Sequence, residues 1–154
     1  MIKTPGKVIA FDTETTGLWP WLTEHRKAIG LGPDRPFAFT FANADEESCI
    51  IRASVDPHTR EVDYSKVRKE LGWLKTLVGD PSMTVVMHNA AFDRVMCEQA
   101  LSLEFKCRVE DTMLQSYTCR PTEAHGLKYL GKAYLGISDQ DQRDLKEDLR
   151  NRKR

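Results

Sequence analysis

The sequence lacks the features that mark several specialised classes of protein. Its four cysteines form no C-x-x-C pair, which argues against a zinc ribbon or a thioredoxin-like site; they lie at positions 49, 97, 107 and 119. No apolar run approaches the roughly 20 residues that cross a bilayer, and no signal-peptide pattern opens the chain. Unpaired thiols in such a chain are typical of a reducing compartment. We therefore expect a soluble protein of the cytoplasm with no membrane partner.

Net charge is also absent, because 23 lysines and arginines balance 23 aspartates and glutamates. This balance argues against a strongly basic protein that coats nucleic acid, but it allows an enzyme that holds a few nucleotides in an acidic cleft. The 154 residues, of which 40% are hydrophobic, suffice for one domain with a core of its own.

Short apolar runs alternate with segments of helical periodicity along the chain. Strands are predicted at 7–11, 36–41, 48–52, 84–87 and 107–110, and helices at 63–78, 89–101, 111–119 and 126–135. A stretch rich in proline and glycine, 19–36, is predicted to be a long loop. This order predicts an α/β domain around a mixed sheet over residues 1–136. Residues 137–154 are dense in both charges and are predicted to form a solvated helix or tail.

Two carboxylates, Asp12 and Glu14, come two residues apart at the end of the first apolar run. Side chains at this spacing point to the same face of a strand, about 7 Å apart. Like charges beside a buried run repel each other unless a cation lies between them, and Mg²⁺ and Mn²⁺ prefer oxygen ligands of this kind. A metal site is one interpretation. A pair of exposed acids that serve as turn or cap residues is the other.

A third carboxylate, Asp93, follows the strand predicted at 84–87. Asn89 is predicted to cap the next helix, which places Asp93 in its first turns and on the same face as Asn89. A carboxylate near a helix N-terminus is favoured by the macrodipole, and it would face the carboxyl ends of the strands, where α/β sheets place ligands. A capped surface helix with a solvated aspartate is the simpler alternative.

These two segments resemble the DEDD superfamily of 3′→5′ exonucleases, which have a ribonuclease H-like fold. The superfamily's first motif matches F-D-T-E-T-T-G-L at 11–18, and its second matches N-A-A-F-D at 89–93. Two further stretches, E-D-T-M-L-Q-S-Y at 110–117 and G-L-K-Y-L at 126–130, resemble the proofreading domain of family A (polymerase I-type) DNA polymerases, of a phage-like kind. The resemblance covers most of residues 7–136.

The resemblance implies a role for each matching residue. The catalytic residues and metal ligands would be Asp12, Glu14 and Asp93, holding two Mg²⁺ or Mn²⁺ ions for an in-line hydrolysis. The substrate-binding residues would be Thr13, Thr15, Leu18, Asn89 and Phe92, with Leu18 wedged against the terminal bases. The partners implied are single-stranded or frayed 3′ ends of DNA and a polymerase domain in the same or a separate chain. A phage-encoded enzyme would work in the cytoplasm of the bacterial host.

The superfamily's third motif, Tyr-x-x-x-Asp or His-x-x-x-x-Asp, is not found downstream of the second. Four acids in the right part of the chain lack its spacing: Asp139, Asp141, Asp144 and Asp148. We expect the chain to stop before this motif and its hydrolytic activity to be weak or absent. Two alternatives remain open: an RNA 3′→5′ exonuclease of the same superfamily, and a non-catalytic binding or assembly module that keeps the fold. Asp111 is interpreted as a helix cap.

Overall fold

The structure, a computed structural model, describes residues 6–138 and 140. The strands β1 to β7 span Val8–Thr15, Pro36–Ala42, Ser48–Arg52, Ser54–Val55, Val62–Asp63, Thr84–Met87 and Arg108–Asp111. The helices α1 to α5 span Glu24–Ala28, Arg68–Gly79, Ala90–Leu101, Thr112–Cys119 and Leu127–Leu135, and a 3₁₀ turn at Ser65–Val67 precedes α2. The chain divides into two compact units, one ending at Thr112 and the other beginning at Met113.

Five of the strands of the first unit form one mixed sheet in the order β3-β2-β1-β6-β7. The hairpin strands β2 and β3 pair antiparallel with their neighbours, whereas β6 and β7 join the other edge in parallel. Helices α2 and α3 supply the crossovers that parallel pairing requires. The predicted α/β class with a mixed sheet is confirmed.

One face of this sheet forms the core of the first unit. Along β1 every second side chain is buried, beginning with Ile9 and Phe11. Phe11 stacks on Phe41 of β2 with ring centroids 5.0 Å apart, and Trp73 of α2 meets Phe41 edge-on at 5.1 Å. Burying an aromatic side chain in this way contributes about 1.5–3 kcal/mol. Helix α3 packs on the same face through buried residues that include Cys97.

The opposite face of β1 carries exposed side chains. On this face, Val8 of β1 is 51% exposed and Ile50 of β3 is 59% exposed. Ala10, Asp12 and Glu14 of β1 are exposed as well. The period of two in a strand therefore puts both predicted carboxylates on the solvent side while their neighbours enter the core.

Several boundaries differ from the predictions. Strand β1 continues to Thr15, because β2 keeps pairing with it as far as Pro36. The helix predicted at 63–78 begins later, because Val62–Asp63 pairs with Ser54–Val55 as a two-stranded sheet that the sequence pattern did not indicate. The predicted loop at 19–36 contains the short helix α1, whose first turn is capped by the Thr23 side chain.

The second unit contains most of α4 and all of α5. Inside this unit Ser116 Oγ lies 2.9 Å from Nδ1 of the buried His125, and the Tyr117 ring stacks on the same imidazole with centroids 3.6 Å apart. Helix α5 ends at Gly136, whose φ of 64° is readily adopted by glycine. The predicted charged segment from 141 onward lies outside the described residues.

No helix within residues 6–138 and 140 is long and apolar enough to cross a membrane.

Candidate active site

Strand β1 presents Asp12 and Glu14 side by side on the exposed face of the sheet. Their cross-strand neighbours on β2 are Thr40 and Ala38. The Thr40 hydroxyl donates a hydrogen bond to the Asp12 carbonyl at 3.3 Å, which fixes the strand there. Both neighbours are small, so no bulky side chain from β2 stands beside the two carboxylates. The prediction that both acids share one face agrees with this geometry.

Asp93, in the first turn of α3, is held by the residue between those two acids. Its side chain is buried, and Oδ1 accepts hydrogen bonds from the Thr13 backbone N–H at 3.0 Å and from the Thr13 hydroxyl at 2.6 Å. Thr13 and Asp93 are 80 residues apart in the chain. The first and second sequence motifs are therefore joined by two direct hydrogen bonds.

Burial and like charge perturb both aspartates. Desolvation raises the pKa of Asp93 to about 6; the Thr13 hydroxyl opposes this rise, and the negative charge of Asp12 adds to it. Desolvation also raises the pKa of Asp12, against the opposing effects of the Thr13 N–H and the nearby His88 ring. Two neighbouring carboxyl groups with raised pKa values are stabilised either by a proton or by a bound cation. This is the electrostatic setting that a metal site requires.

The start of α3 is capped differently from the prediction. Asn89 occupies the N-cap position but has a left-handed backbone, with φ 65° and ψ 52°, and its side chain makes no cap hydrogen bond. Instead the Asp111 carboxylate accepts the N–H groups of Asn89 at 3.1 Å and Ala90 at 2.8 Å. The parallel pairing of Met87 with Asp111 explains this, because it brings the end of β7 beside the start of the helix. The Asp111 carboxylate, predicted to cap the helix at 111–119, thus caps the start of α3.

His88 is a further polar group of the site, which the sequence interpretation missed. Ala10 pairs with Val86, so two residues further along the parallel strands Asp12 and His88 come side by side on one face. Nδ1 of His88 lies 3.0 Å from the Thr112 hydroxyl, which itself donates to the Met87 carbonyl at 3.1 Å. A hydroxyl has one proton to donate, so we assign the imidazole proton to Nδ1. The sequence contained one indication of this position: His88 comes two residues after Val86, and that spacing puts two side chains of a strand on the same face.

The predicted substrate-binding residues differ widely in accessibility. Leu18 is 71% exposed, Asn89 is exposed and Phe92 is half-buried. The Thr15 hydroxyl is half-buried and donates to the Gly17 carbonyl at 2.7 Å. Thr13 is only 8% exposed, and both of its donors are committed to the α3 carboxylate. Of these five residues, Thr13 is therefore the one whose N–H and hydroxyl orient Asp93.

The donor set has the chemistry of a site for a hard cation, since it consists of carboxylate oxygens. Nevertheless, no group of three histidine, cysteine, aspartate or glutamate side chains within the described ranges, 6–138 and 140, is close enough to hold a metal ion. Asp12 and Asp93 interact electrostatically, and Glu14 lies next to Asp12 on the same face. The structure thus places Asp12 and Glu14 on the exposed face of β1, with Asp93 bonded to Thr13 between them.

The sequence matches a known protein family. The profile described as "3'-5' exonuclease" matches residues 38–154, about three quarters of the chain. The chain belongs to the 3′-5′ exonuclease family. The matched region of this exonuclease includes Asp93 and begins downstream of Asp12 and Glu14, so the assignment of those two acids depends on the geometry described above. Exonucleases of this superfamily generally use divalent metal ions.

Solved structures of other nucleases share the fold. NrnC of Brucella melitensis with bound Mg²⁺ is 25% identical, with a TM-score of 0.59, over 86% of this chain and 55% of that protein. RNase D of Escherichia coli is 21% identical, with a TM-score of 0.55, over 85% of this chain and 28% of that protein. Pol1 of M. smegmatis is 17% identical, with a TM-score of 0.60, over 86% of this chain and 20% of that protein. The exonuclease chain thus spans about half the length of NrnC. No curated protein sequence matches it.

Proposed function

We propose that this chain is the metal-binding part of a DNA 3′→5′ exonuclease, the proofreading portion of a family A DNA polymerase of phage-like type. The observation that carries the proposal is the junction of the two motifs: Thr13, between Asp12 and Glu14, holds Asp93 through both of its donors. Family membership supplies the direction of cleavage and the reaction class. The Pol1 structure among its neighbours supports a polymerase as partner, in the same or a separate chain.

Each acid has a part in the proposed reaction. Asp12, Glu14 and Asp93 would hold the divalent ions. When bound, such ions activate a water molecule and neutralise charge on the scissile phosphodiester. Thr13 orients Asp93, and His88 offers Nε2 on the same face as Asp12. The exposed Leu18 would contact the terminal base. The cytoplasm remains our proposed location for this reaction.

We propose that hydrolysis by this chain alone is weak. Three carboxylates are identified by motif, and the superfamily's third motif, which would supply a fourth, is not found after them. The candidates for a fourth, Asp139, Asp141, Asp144 and Asp148, lie outside the described residues. A site with fewer carboxylate oxygens binds a divalent ion less tightly, because each ligand contributes charge and coordination.

RNA is the second candidate substrate. The structure of NrnC that is bound to pGG is 25% identical to this chain, and RNase D is described as an exoribonuclease involved in structured RNA processing. Both observations favour an RNA exonuclease on the same scaffold. A non-catalytic module that keeps the fold is less well supported, because such a module has no need for three acids around one junction.

The decisive experiment compares matched single strands of DNA and RNA, labelled at the 5′ end, with Mg²⁺ or Mn²⁺. We expect a ladder that shortens from the 3′ end, at least slowly, and that disappears in Asp12→Asn. The matched control is Asp45→Asn, which removes an exposed carboxylate from the turn between β2 and β3. Mn²⁺ affinity, measured by electron paramagnetic resonance, should fall in Asp12→Asn only. No hydrolysis of either strand, together with equal Mn²⁺ affinity in all three proteins, would refute the proposal.

A further inference from the structure

A cluster of exposed apolar side chains follows the first motif. Leu18, Trp19, Trp21, Leu22 and Ile29 are between 47% and 71% exposed. Single exposed hydrophobic residues are ordinary, but five in the connection between β1 and β2 form a patch of the kind that marks a binding surface. Two of the chain's three tryptophans lie here; the third packs edge-on against a ring of the core.

The backbone that carries the two indoles is fixed. The Trp19 N–H donates to the Asp34 carboxylate at 2.9 Å, and the Asp34 N–H donates to the Trp19 carbonyl at 2.7 Å. Asp34 is 3% exposed and is neutralised by Arg26, whose Nη2 lies 3.0 Å away. The guanidinium of Arg35 donates to the carbonyl of the buried Pro20 at 2.9 Å. The backbone at Trp19 and Pro20 is therefore held by this network while the indoles of Trp19 and Trp21 are exposed, and a fixed backbone lowers the entropy lost when a ligand binds.

A cavity of about 340 Å³ lies next to the backbone of Trp19, because Asp34, which accepts the Trp19 N–H, is one of its lining residues. It is lined by three arginines, Arg26, Arg35 and Arg60, and two acids, Asp34 and Glu61, so its lining carries one net positive charge. Both Arg26 and Arg60 pair with Asp34, at 3.0 Å and 4.0 Å, and the side chain of Arg60 is 49% exposed to an incoming ligand. Guanidinium groups recognise phosphate well.

We propose that Trp19 and Trp21 form a stacking platform for the bases of single-stranded nucleic acid, whose phosphates pass Arg35 and Arg60. Stacking on aromatic side chains beside a basic track is the usual way to bind single strands without reading their sequence. Trp19 is five residues from Glu14, so their Cα atoms are at most about 18 Å apart. A strand whose 3′ end reaches the carboxylates therefore has its preceding nucleotides near the platform. This last step rests on the proposed function; the binding itself does not.

The test measures binding without hydrolysis. A fluorescein-labelled oligothymidylate of about eight nucleotides is titrated in EDTA and low salt, and its anisotropy and the quenching of tryptophan fluorescence are followed. We expect Trp19→Ala and Trp21→Ala each to weaken binding about tenfold, and Trp19→Phe to keep most of the affinity because it keeps an aromatic face. Leu127→Ala, which removes an equally exposed apolar side chain without a ring from outside the β1–β2 connection, is the matched control and should bind as the native chain does. Circular dichroism checks that each variant is folded.

Equal affinity of the native, Trp19→Ala and Trp21→Ala chains for the oligonucleotide would overturn the platform. If the same two substitutions also convert a dimer to a monomer in sedimentation, the patch is an interface between copies of this chain. These outcomes are separate from the fate of the proposed function. Loss of binding in the tryptophan variants, together with no hydrolysis by the native chain and an unchanged Mn²⁺ affinity in Asp12→Asn, would keep the platform and refute the exonuclease. Hydrolysis with equal affinities for the oligonucleotide would do the reverse.

Discussion

Replacing Asp93 with asparagine should stabilise the metal-free protein near neutral pH. Burial and the charge of Asp12 raise the pKa of Asp93 from 3.8 to about 6. Because the folded-state pKa lies above the unfolded value, the stabilisation by the bound proton is complete below about pH 4 and is lost as the pH rises through 6. Two pKa units correspond to about 3 kcal/mol. At about pH 8 the ionised Asp93 therefore destabilises the fold by about 3 kcal/mol.

Asparagine is the same size, carries no charge and can still accept both Thr13 hydrogen bonds at its carbonyl oxygen. We expect Asp93→Asn to raise the free energy of unfolding by about 2–3 kcal/mol at about pH 8, and to change it little at about pH 4, where Asp93 is protonated anyway. Urea unfolding in EDTA, followed by circular dichroism across this pH range, measures the difference. Asp80→Asn is the matched control: a backbone hydrogen bond from Ser82 lowers the pKa of Asp80, so its neutralisation should act in the opposite direction.

Adding Mn²⁺ should reverse the order of stability. An ion that binds only the folded native chain stabilises it by about 4 kcal/mol at a thousandfold excess over its Kd, which exceeds the advantage of about 2–3 kcal/mol that Asp93→Asn has. The variant lacks one proposed ligand and should gain less. If Asp93→Asn were no more stable than the native chain at high pH in EDTA, the ionised Asp93 carboxylate would not be destabilised by burial as described above. If Mn²⁺ stabilised both proteins equally, Asp93 would not be a ligand.

Three further substitutions test the support of the site by urea or thermal unfolding. Thr13→Val removes the hydroxyl donated to the α3 carboxylate and should cost about 1.5–3 kcal/mol at high pH and less at low pH, where that carboxyl is neutral; equal losses at both pH values would contradict this. Asp111→Asn weakens the cap of α3 and should cost about 1 kcal/mol; no loss would mean that the charge is irrelevant there. Gly17→Ala adds a Cβ that would overlap the Asp34 carboxylate, and it should cost about 1–3 kcal/mol of stability. Gly72→Ala is its control: the added Cβ in α2 has no neighbouring atom within 4 Å, so this change should be neutral or stabilising.

Local patterns predicted the elements that local physics determines. The alternation along β1 indicated which side chains enter the core, so the shared face of Asp12 and Glu14 followed from the spacing alone. The turn from β6 into α3 was equally visible, because an apolar run gives way to a helix-forming segment. Even the missed helix α1 had a local signal, since Thr23 stands three residues before Arg26, whose N–H it caps.

Contacts between distant segments were not predictable in the same way. The cap of α3 by Asp111 depends on β7 joining the sheet beside β6 in one register, and a shift of a single residue would remove it. The role of Asp34 depends on the loop that brings it back beside Trp19. The sequence of this loop has no periodicity from which its path could be predicted. In both cases an aspartate has many possible partners, and only the fold selects one.

The bond between Thr13 and Asp93 also determines from which side a substrate can reach the acids. Thr13 points into the core, so Asp93 approaches β1 from the buried side, while Asp12 and Glu14 on either side of Thr13 point to solvent. Asp12, Glu14 and Asp93 would hold the proposed ions, and of the three only Asp12 and Glu14 are exposed. On the proposed function, the phosphodiester would approach from this exposed face. Leu18 is exposed just beyond the end of β1, so a strand crossing that face would meet it four residues after Glu14. The residues proposed to contact nucleotides accordingly come from both joined segments: Leu18 follows the end of β1, and Asn89 and Phe92 lie at the start of α3.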